Sequence, residues 1–98
     1  MRIITKGALR EFWIRYPDSE QELKIWYREI QLAAYQNPNE VKGGYPSADN
    51  VGNNRFVFNI CHNKYRLIVV FRYNLQRVYI RFLGTHKEYD RIKDIKNI

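Results

Sequence analysis

Four side chains able to move protons or touch phosphate stand close together late in the chain: His86, Lys87, Tyr89 and Asp90. They follow residues 77–83, where apolar side chains alternate with basic or aromatic ones, and Gly84, where that alternation stops. An imidazole titrates near neutrality, so His86 can give or take a proton under physiological conditions. Arg66 and Arg81 add planar, permanently charged guanidinium groups. Such groups hold phosphate oxygens in pairs and stabilise the extra charge of a pentacoordinate phosphorus. The combination suits a phosphodiester. In RNA cleavage without a metal, one group deprotonates a 2′-hydroxyl and another protonates the departing 5′-oxygen. Plainer readings exist: arginines whose stems shield aliphatic neighbours on a solvated strand, and a histidine bonding backbone at a helix start. Asp90 is placed to orient His86 or Lys87, or simply to solvate a helix.

Around this group, Tyr79 and Tyr89 offer rings on which bases could stack, a contact worth about 1–3 kcal/mol per base. Lys87, Lys64, Lys42 and Arg55 could neutralise phosphates. Trp13, Trp26 and Tyr27 keep helical spacing and read as core. Cys61 and His62 are neighbours, so on a strand they point to opposite faces and form no catalytic pair; His62 reads as a turn residue. Two histidines and one cysteine give no zinc site, and no metal or other cofactor is expected.

These residues need a scaffold, and the sequence supplies one. Residues 1–5 favour a short strand. Leu9, Phe12, Trp13 and Tyr16 share one face of a helix over residues 6–16, which Pro17 ends. Ser19 and Glu22 have the spacing of a capping box for a second helix, with an inward stripe of Leu23, Trp26, Tyr27, Ile30, Ala33 and Ala34 and a stop at Asn37-Pro38. Residues 39–54 read as a loop rich in Gly, Asn and Pro. Three strands follow over residues 55–61, 64–72 and 77–83. With His62-Asn63 and residues 73–76 as hairpin loops, Asn59 opposes Arg66 and Ile68 opposes Arg81. Phe56, Phe58, Ile60, Leu67, Val69, Phe71, Val78, Ile80 and Phe82 then share one face. The other face collects Arg55, Arg66, Arg72, Arg77, Tyr79 and Arg81 with a floor of Val57, Ile68 and Val70. Thr85 and Glu88 suggest a capped terminal helix over residues 85–95. The expected fold is α+β: a helical hairpin on one face of a small, mainly antiparallel twisted sheet, in one domain over residues 1–98.

The net charge of +7 is unevenly placed: residues 55–98 hold ten Lys/Arg against three Asp/Glu, whereas residues 1–54 hold seven of each. A basic half fits a polyanion, although acidic proteins and anionic membranes fit the same charge. A hydrophobic content of 45% excludes a disordered, highly charged chain. No apolar run approaches a membrane span, the first residues lack the pattern of a secretory signal, and a lone cysteine suits a reducing cytoplasm.

Tyr65-Arg66-Leu67-Ile68-Val69 and Ile80-Arg81-Phe82-Leu83-Gly84-Thr85-His86-Lys87-Glu88-Tyr89-Asp90 together resemble the HigB toxins of the RelE-like superfamily. The resemblance extends to Arg2-Ile3-Ile4-Thr5-Lys6, to Tyr45-Pro46-Ser47-Ala48-Asp49-Asn50 and to Phe56-Val57-Phe58-Asn59-Ile60. It implies a cytoplasmic toxin of a type II toxin–antitoxin system: a ribosome-dependent, metal-independent endoribonuclease that cuts translated mRNA. It also implies a HigA-like antitoxin with a helix-turn-helix, through which alone operator DNA would be bound. By position, Arg66 and Arg81 would stabilise the scissile phosphate, His86 would transfer a proton, and Lys87 and Tyr89 would support phosphate and base contacts. Active sites in this superfamily differ in which residue does which task, so the division between acid and base stays open. Loop residues used by some relatives have no match in residues 39–54. A non-catalytic RNA- or ribosome-binding module, or an adaptor for an acidic protein, would use the same basic face.

Overall fold

The segment Tyr-Arg-Leu-Ile-Val-Val-Phe-Arg is apolar at both alternating sets of positions, so as a strand it must be covered on both faces. In a computed structural model describing residues 1–98, this segment is the central strand of a five-stranded sheet. The strands are β1 (Arg2–Ile4), β2 (Asp49–Gly52), β3 (Arg55–Ile60), β4 (Tyr65–Arg72) and β5 (Arg77–Thr85), in the spatial order β1-β5-β4-β3-β2. The three pairs within β2–β5 are antiparallel, and β1 joins β5 in parallel, Arg2 beside Arg77. Four helices complete the chain: α1 (Gly7–Arg15), α2 (Glu20–Leu32), α3 (Pro38–Gly44) and α4 (His86–Asp90). The α+β architecture is the expected one, with α1 and α2 over one face of a mixed sheet. No helix is long and apolar enough to cross a membrane.

Beneath those helices the core forms as the alternation requires. Leu9, Phe12, Leu23, Trp26 and Ile30 meet Phe56, Phe58, Ile60, Leu67, Val69, Phe71 and Val78 in one cluster. Phe71 is fully buried and holds Phe56 edge-on at 5.6 Å and Tyr73 in a stack at 5.7 Å. Each such side chain contributes roughly 1.5–3 kcal/mol by leaving water. The β3–β4 register places Asn59 opposite Arg66, as expected.

Four expectations need correction. First, residues 39–54 are not a loop. Asn37 caps α3 by accepting from the Glu40 N–H at 3.1 Å, with Pro38 in the first turn, so Asn37-Pro38 begins a helix instead of ending one. Val41 and Ala48 are buried, and Asn53 and Asn54, both with positive φ, turn β2 into β3. Second, α2 stops at Leu32 because the chain must leave the helix for Tyr35 to pack edge-on against Phe71 at 6.2 Å. Third, Ser19 makes no cap. Its hydroxyl donates to the Tyr16 carbonyl, and the Glu22 carboxylate accepts from the Cys61 N–H. Fourth, Ile68 opposes Phe82, not Arg81, because a β-bulge between Ile80 and Phe82 leaves Arg81 unpaired. Beyond the bulge the alternation is inverted, so Phe82 joins the outer face and Leu83 the core.

The terminal helix is also shorter than expected, ending at Asp90. Residues 91–98 turn back over the outer face. Asn53 Nδ2 donates to the Lys96 carbonyl at 3.1 Å and Arg55 Nη2 to the Ile98 carbonyl at 2.9 Å, while Ile92, Ile95 and Ile98 are half-buried. Val57, Ile68 and Val70 are accordingly buried although they belong to the face without helices. Arg72 at one end of this face, and His86 and Lys87 beyond its other end, stay exposed.

Candidate active site

The open end of the outer face is built by the β4–β5 hairpin and α4. Arg66 stands opposite Asn59 on one side and Gly84 on the other. Its Nη1 donates to the Asn63 carbonyl at 3.0 Å and to the Tyr65 carbonyl at 3.4 Å, and its guanidinium carbon lies 5.5 Å from the centre of the Tyr89 ring. The fork is thereby oriented, with Nε and Nη2 left for a ligand. Arg81, freed by the bulge, is exposed and lies 5.8 Å from the Tyr79 ring centre. The chain's three ion pairs join Lys24 to Glu20, Lys64 to Asp18 and His86 to Asp90, so neither arginine is neutralised by a carboxylate.

Gly84 is buried, and a methyl group there would stand 2.6 Å from Cζ of Phe82 and 2.8 Å from a carboxylate oxygen of Glu88. Only glycine lets the Phe82 ring and the head of α4 close over this point. Phe82, whose ring packs over Gly84, is the residue that sequence reasoning misplaced. Strict alternation assigned it to the core, and a one-residue bulge leaves no compositional mark.

A five-residue helix does not hold itself together, and α4 depends on its cap. The Thr85 hydroxyl accepts from the Glu88 N–H at 3.2 Å, and the Glu88 carboxylate accepts from the Thr85 N–H at 2.8 Å, the expected capping box. That bond to the Thr85 backbone holds the Glu88 carboxyl below its ordinary value, aided by the nearby charges of Arg15 and Arg91. Because the folded value is the lower one, the cap contributes fully above the ordinary glutamate range and is lost as pH falls through the lowered value. The amide signals of His86 and Tyr89 should therefore move together on acidification. In Glu88→Gln that acid transition should vanish, and these amides should exchange about two- to tenfold faster at neutral pH, as for a lost cap.

The cap sets His86 at the rim. Its backbone N–H donates to the Lys64 carbonyl at 3.1 Å, and its Nδ1 lies 2.9 Å from Asp90 Oδ2 one turn on. The imidazole is half exposed, and Nε2 is free. A carboxylate on Nδ1 fixes the ring and its tautomer, leaving Nε2 to accept or return a proton. Lys87 is exposed beside it with no acidic partner.

Arg81 sits against Tyr79 and lines a hollow with Phe82 and the α1 residues Ala8, Glu11, Phe12 and Arg15. The fold brings Arg66 against Tyr89, which shares α4 with His86 and Lys87. It places three other candidates elsewhere. Lys64 pairs with Asp18, whose carboxyl is held below its usual range by Lys64 and then by the Tyr65 hydroxyl. Lys42 donates to the Ala48 carbonyl beside α3. Arg55 is tied to Asn53 and Ile98 under the returning chain end.

Comparison with known proteins bears on this arrangement. A family described as HigB toxin, the RelE-like toxic component of a toxin–antitoxin system, matches residues 19–92. The mRNA interferase toxin HigB of Escherichia coli (strain K12) is 34% identical over 92 residues, which cover 92% of this chain and 88% of that protein. The mRNA interferase HigB of Shigella flexneri matches to the same extent. That of Escherichia coli O6:H1 is 28% identical over 94 residues, covering 94% of this chain and 91% of the relative.

Proposed function

Because the chain belongs to the HigB family of RelE-like toxins, we propose that it cuts messenger RNA during translation, while docked on the ribosome. It is a toxin of a toxin–antitoxin system and an endoribonuclease acting on mRNA, and an antitoxin is its protein partner. In our reading residues 1–98 act as a single cytoplasmic domain, and the antitoxin is HigA-like, carrying the helix-turn-helix through which the pair meets operator DNA.

The reaction we propose is metal-independent in-line attack of a ribose 2′-hydroxyl on the adjacent phosphate. The proton leaves the 2′-hydroxyl for a base, the new O–P bond forms, and the bond to the 5′-oxygen breaks as that oxygen is protonated. Arg66 and Arg81 take the charge that develops on the non-bridging oxygens. His86, with Nδ1 held by Asp90, carries one of the two protons at Nε2. Tyr89, its ring beneath Arg66, serves as a surface for a base or a phosphate contact, and Lys87 and Tyr79 add phosphate and base contacts. The observation that carries this reading is the half-exposed imidazole held by Asp90, following two strands whose Arg66 and Arg81 have no acidic partner.

Mapping the 5′ ends of a translated reporter message, with and without induction of the protein, tests it. New ends inside the reading frame, absent when initiation is blocked, are expected. Ends that persist without translation would remove the ribosome requirement. Unchanged ends with retained ribosome binding would favour a non-catalytic binding module.

A further inference from the structure

Neutral in sum, the first half of the chain still sends one carboxylate and one guanidinium to the edge of β5. β1 covers that edge only as far as Tyr79, the partner of Ile4. Thr5 then takes a φ of 70°, rare for a β-branched residue, and turns the chain away into α1. Beyond Tyr79 the edge has no strand beside it, and between it and α1 lies a hollow of about 400 Å³. Its charged lining is Glu11 and Arg15 from α1 and Arg81 from the bulge, and Phe82 offers a half-buried ring. Glu11 and Arg15 stand one turn apart, the spacing of a helical ion pair, yet all three ion pairs of the chain lie elsewhere. Arg15 instead lies 5.5 Å from the Tyr16 ring centre, as Arg81 does 5.8 Å from that of Tyr79. One acceptor and two donors are thus held open at a single hollow.

The hollow adjoins the candidate active site. The Phe82 ring lies over Gly84, the partner of Arg66 across the hairpin, and Arg15 is among the charges that lower the Glu88 carboxyl at the head of α4. An RNA strand crossing that corner would carry its next nucleotide over Phe82 and into the hollow. Unpaired bases are recognised by a ring face together with hydrogen bonds to their edges, and guanidinium groups take the phosphates. A carboxylate without a donor partner can only accept. It therefore favours a base that presents an amino group, adenine, cytosine or guanine, over uracil, whose single N–H lies between two carbonyl oxygens. A peptide strand added to β5 fits less well, because the bulge at Arg81 interrupts the edge it would need.

We propose that this hollow receives a message nucleotide flanking the scissile bond, and that Glu11 selects there for an amino-bearing base over uracil while Arg15 and Arg81 hold the backbone. The inference rests on the active-site reading given above, and it gives Glu11 a part in specificity and none in the chemistry. The test maps cut sites across many translated messages after brief induction of the full chain. Uridine should be about three- to tenfold under-represented at one fixed position beside the cut, roughly the discrimination of one hydrogen bond. Glu11→Gln, which replaces an acceptor oxygen by a donor, should erase that deficit, and so should Glu11→Ala, with melting temperatures showing which variants are folded. Glu20→Gln makes the same charge change on the partner of Lys24, away from the hollow, and should keep the deficit. A deficit that survives both changes at Glu11 overturns the proposal, as does a parent with no position poor in uridine. So does an unaltered cut-site profile in Glu11→Gln with weakened neutralisation by the antitoxin, which assigns the hollow to a protein. Parental cutting by His86→Ala would instead overturn the active-site reading beneath the proposal, so the two failures are told apart.

Discussion

Arg66→Ala is expected to slow cleavage of translated mRNA by about 10²–10³-fold, the usual effect of removing one group that stabilises charge in the transition state. Its position predicts this. The Asn63 and Tyr65 carbonyls hold one end of the guanidinium and the Tyr89 ring supports its plane, so the group meets a phosphate already oriented. Arg66→Lys should recover only part of the loss, since an ammonium cannot pair with two oxygens or lie flat on a ring. Single-turnover cleavage of a translated reporter checks the rate, and a melting curve checks the fold. An alanine variant within about threefold of the parent would take Arg66 out of the site.

His86→Ala should reduce the same rate by about 10²–10⁴-fold, the range typical of a lost general acid or base. The pH–rate profile is the sharper readout, because the inflection contributed by the imidazole should disappear from it. Asp90→Asn keeps the ring and weakens only what orients it, so a loss nearer tenfold with the inflection retained is expected. If Asp90→Asn were as damaging as His86→Ala, the carboxylate would have a role of its own in the chemistry. Expression of His86→Ala should no longer arrest growth.

Much of this molecule could be read before it was seen, and the reasons are local. The partition of β3 and β4 into two faces follows from strict alternation, and a slip of one residue would have buried Arg66. The capping box at Thr85 and Glu88 is a short-range signal and held. What failed depended on tertiary contacts. Ala33 and Ala34 are good helix formers, yet the helix ends before them because Tyr35 is needed against Phe71. Ser19 and Glu22 have the right spacing, but a 3-10 turn at Pro17–Ser19 diverts the serine and the Cys61 N–H claims the glutamate. Asn37-Pro38 signals a helix start as well as a stop, and Gly52-Asn53-Asn54 is a hairpin signal inside a stretch whose Gly, Asn and Pro content also suits a loop.

Within the site, the residue types were legible and their company was not. Lys64 looked like a free cation and is bound to Asp18, 46 positions away in sequence. Arg55 belongs to the basic face but lies under residues whose path no periodicity announces. Phe82 owes its place to a bulge. The neutral first half misled in the opposite direction, because summed charge carries no information about where each sign points.

The parallel pairing of Arg2 with Arg77 has a consequence for the birth of the protein. The first strand has no partner until β5 has been made, and β5 leads straight into the helix that carries His86. Until β5 has been made and paired, the first strand has no edge to join and the helix that carries His86 has no strand to stand on, so the corner with His86 forms only together with the complete sheet.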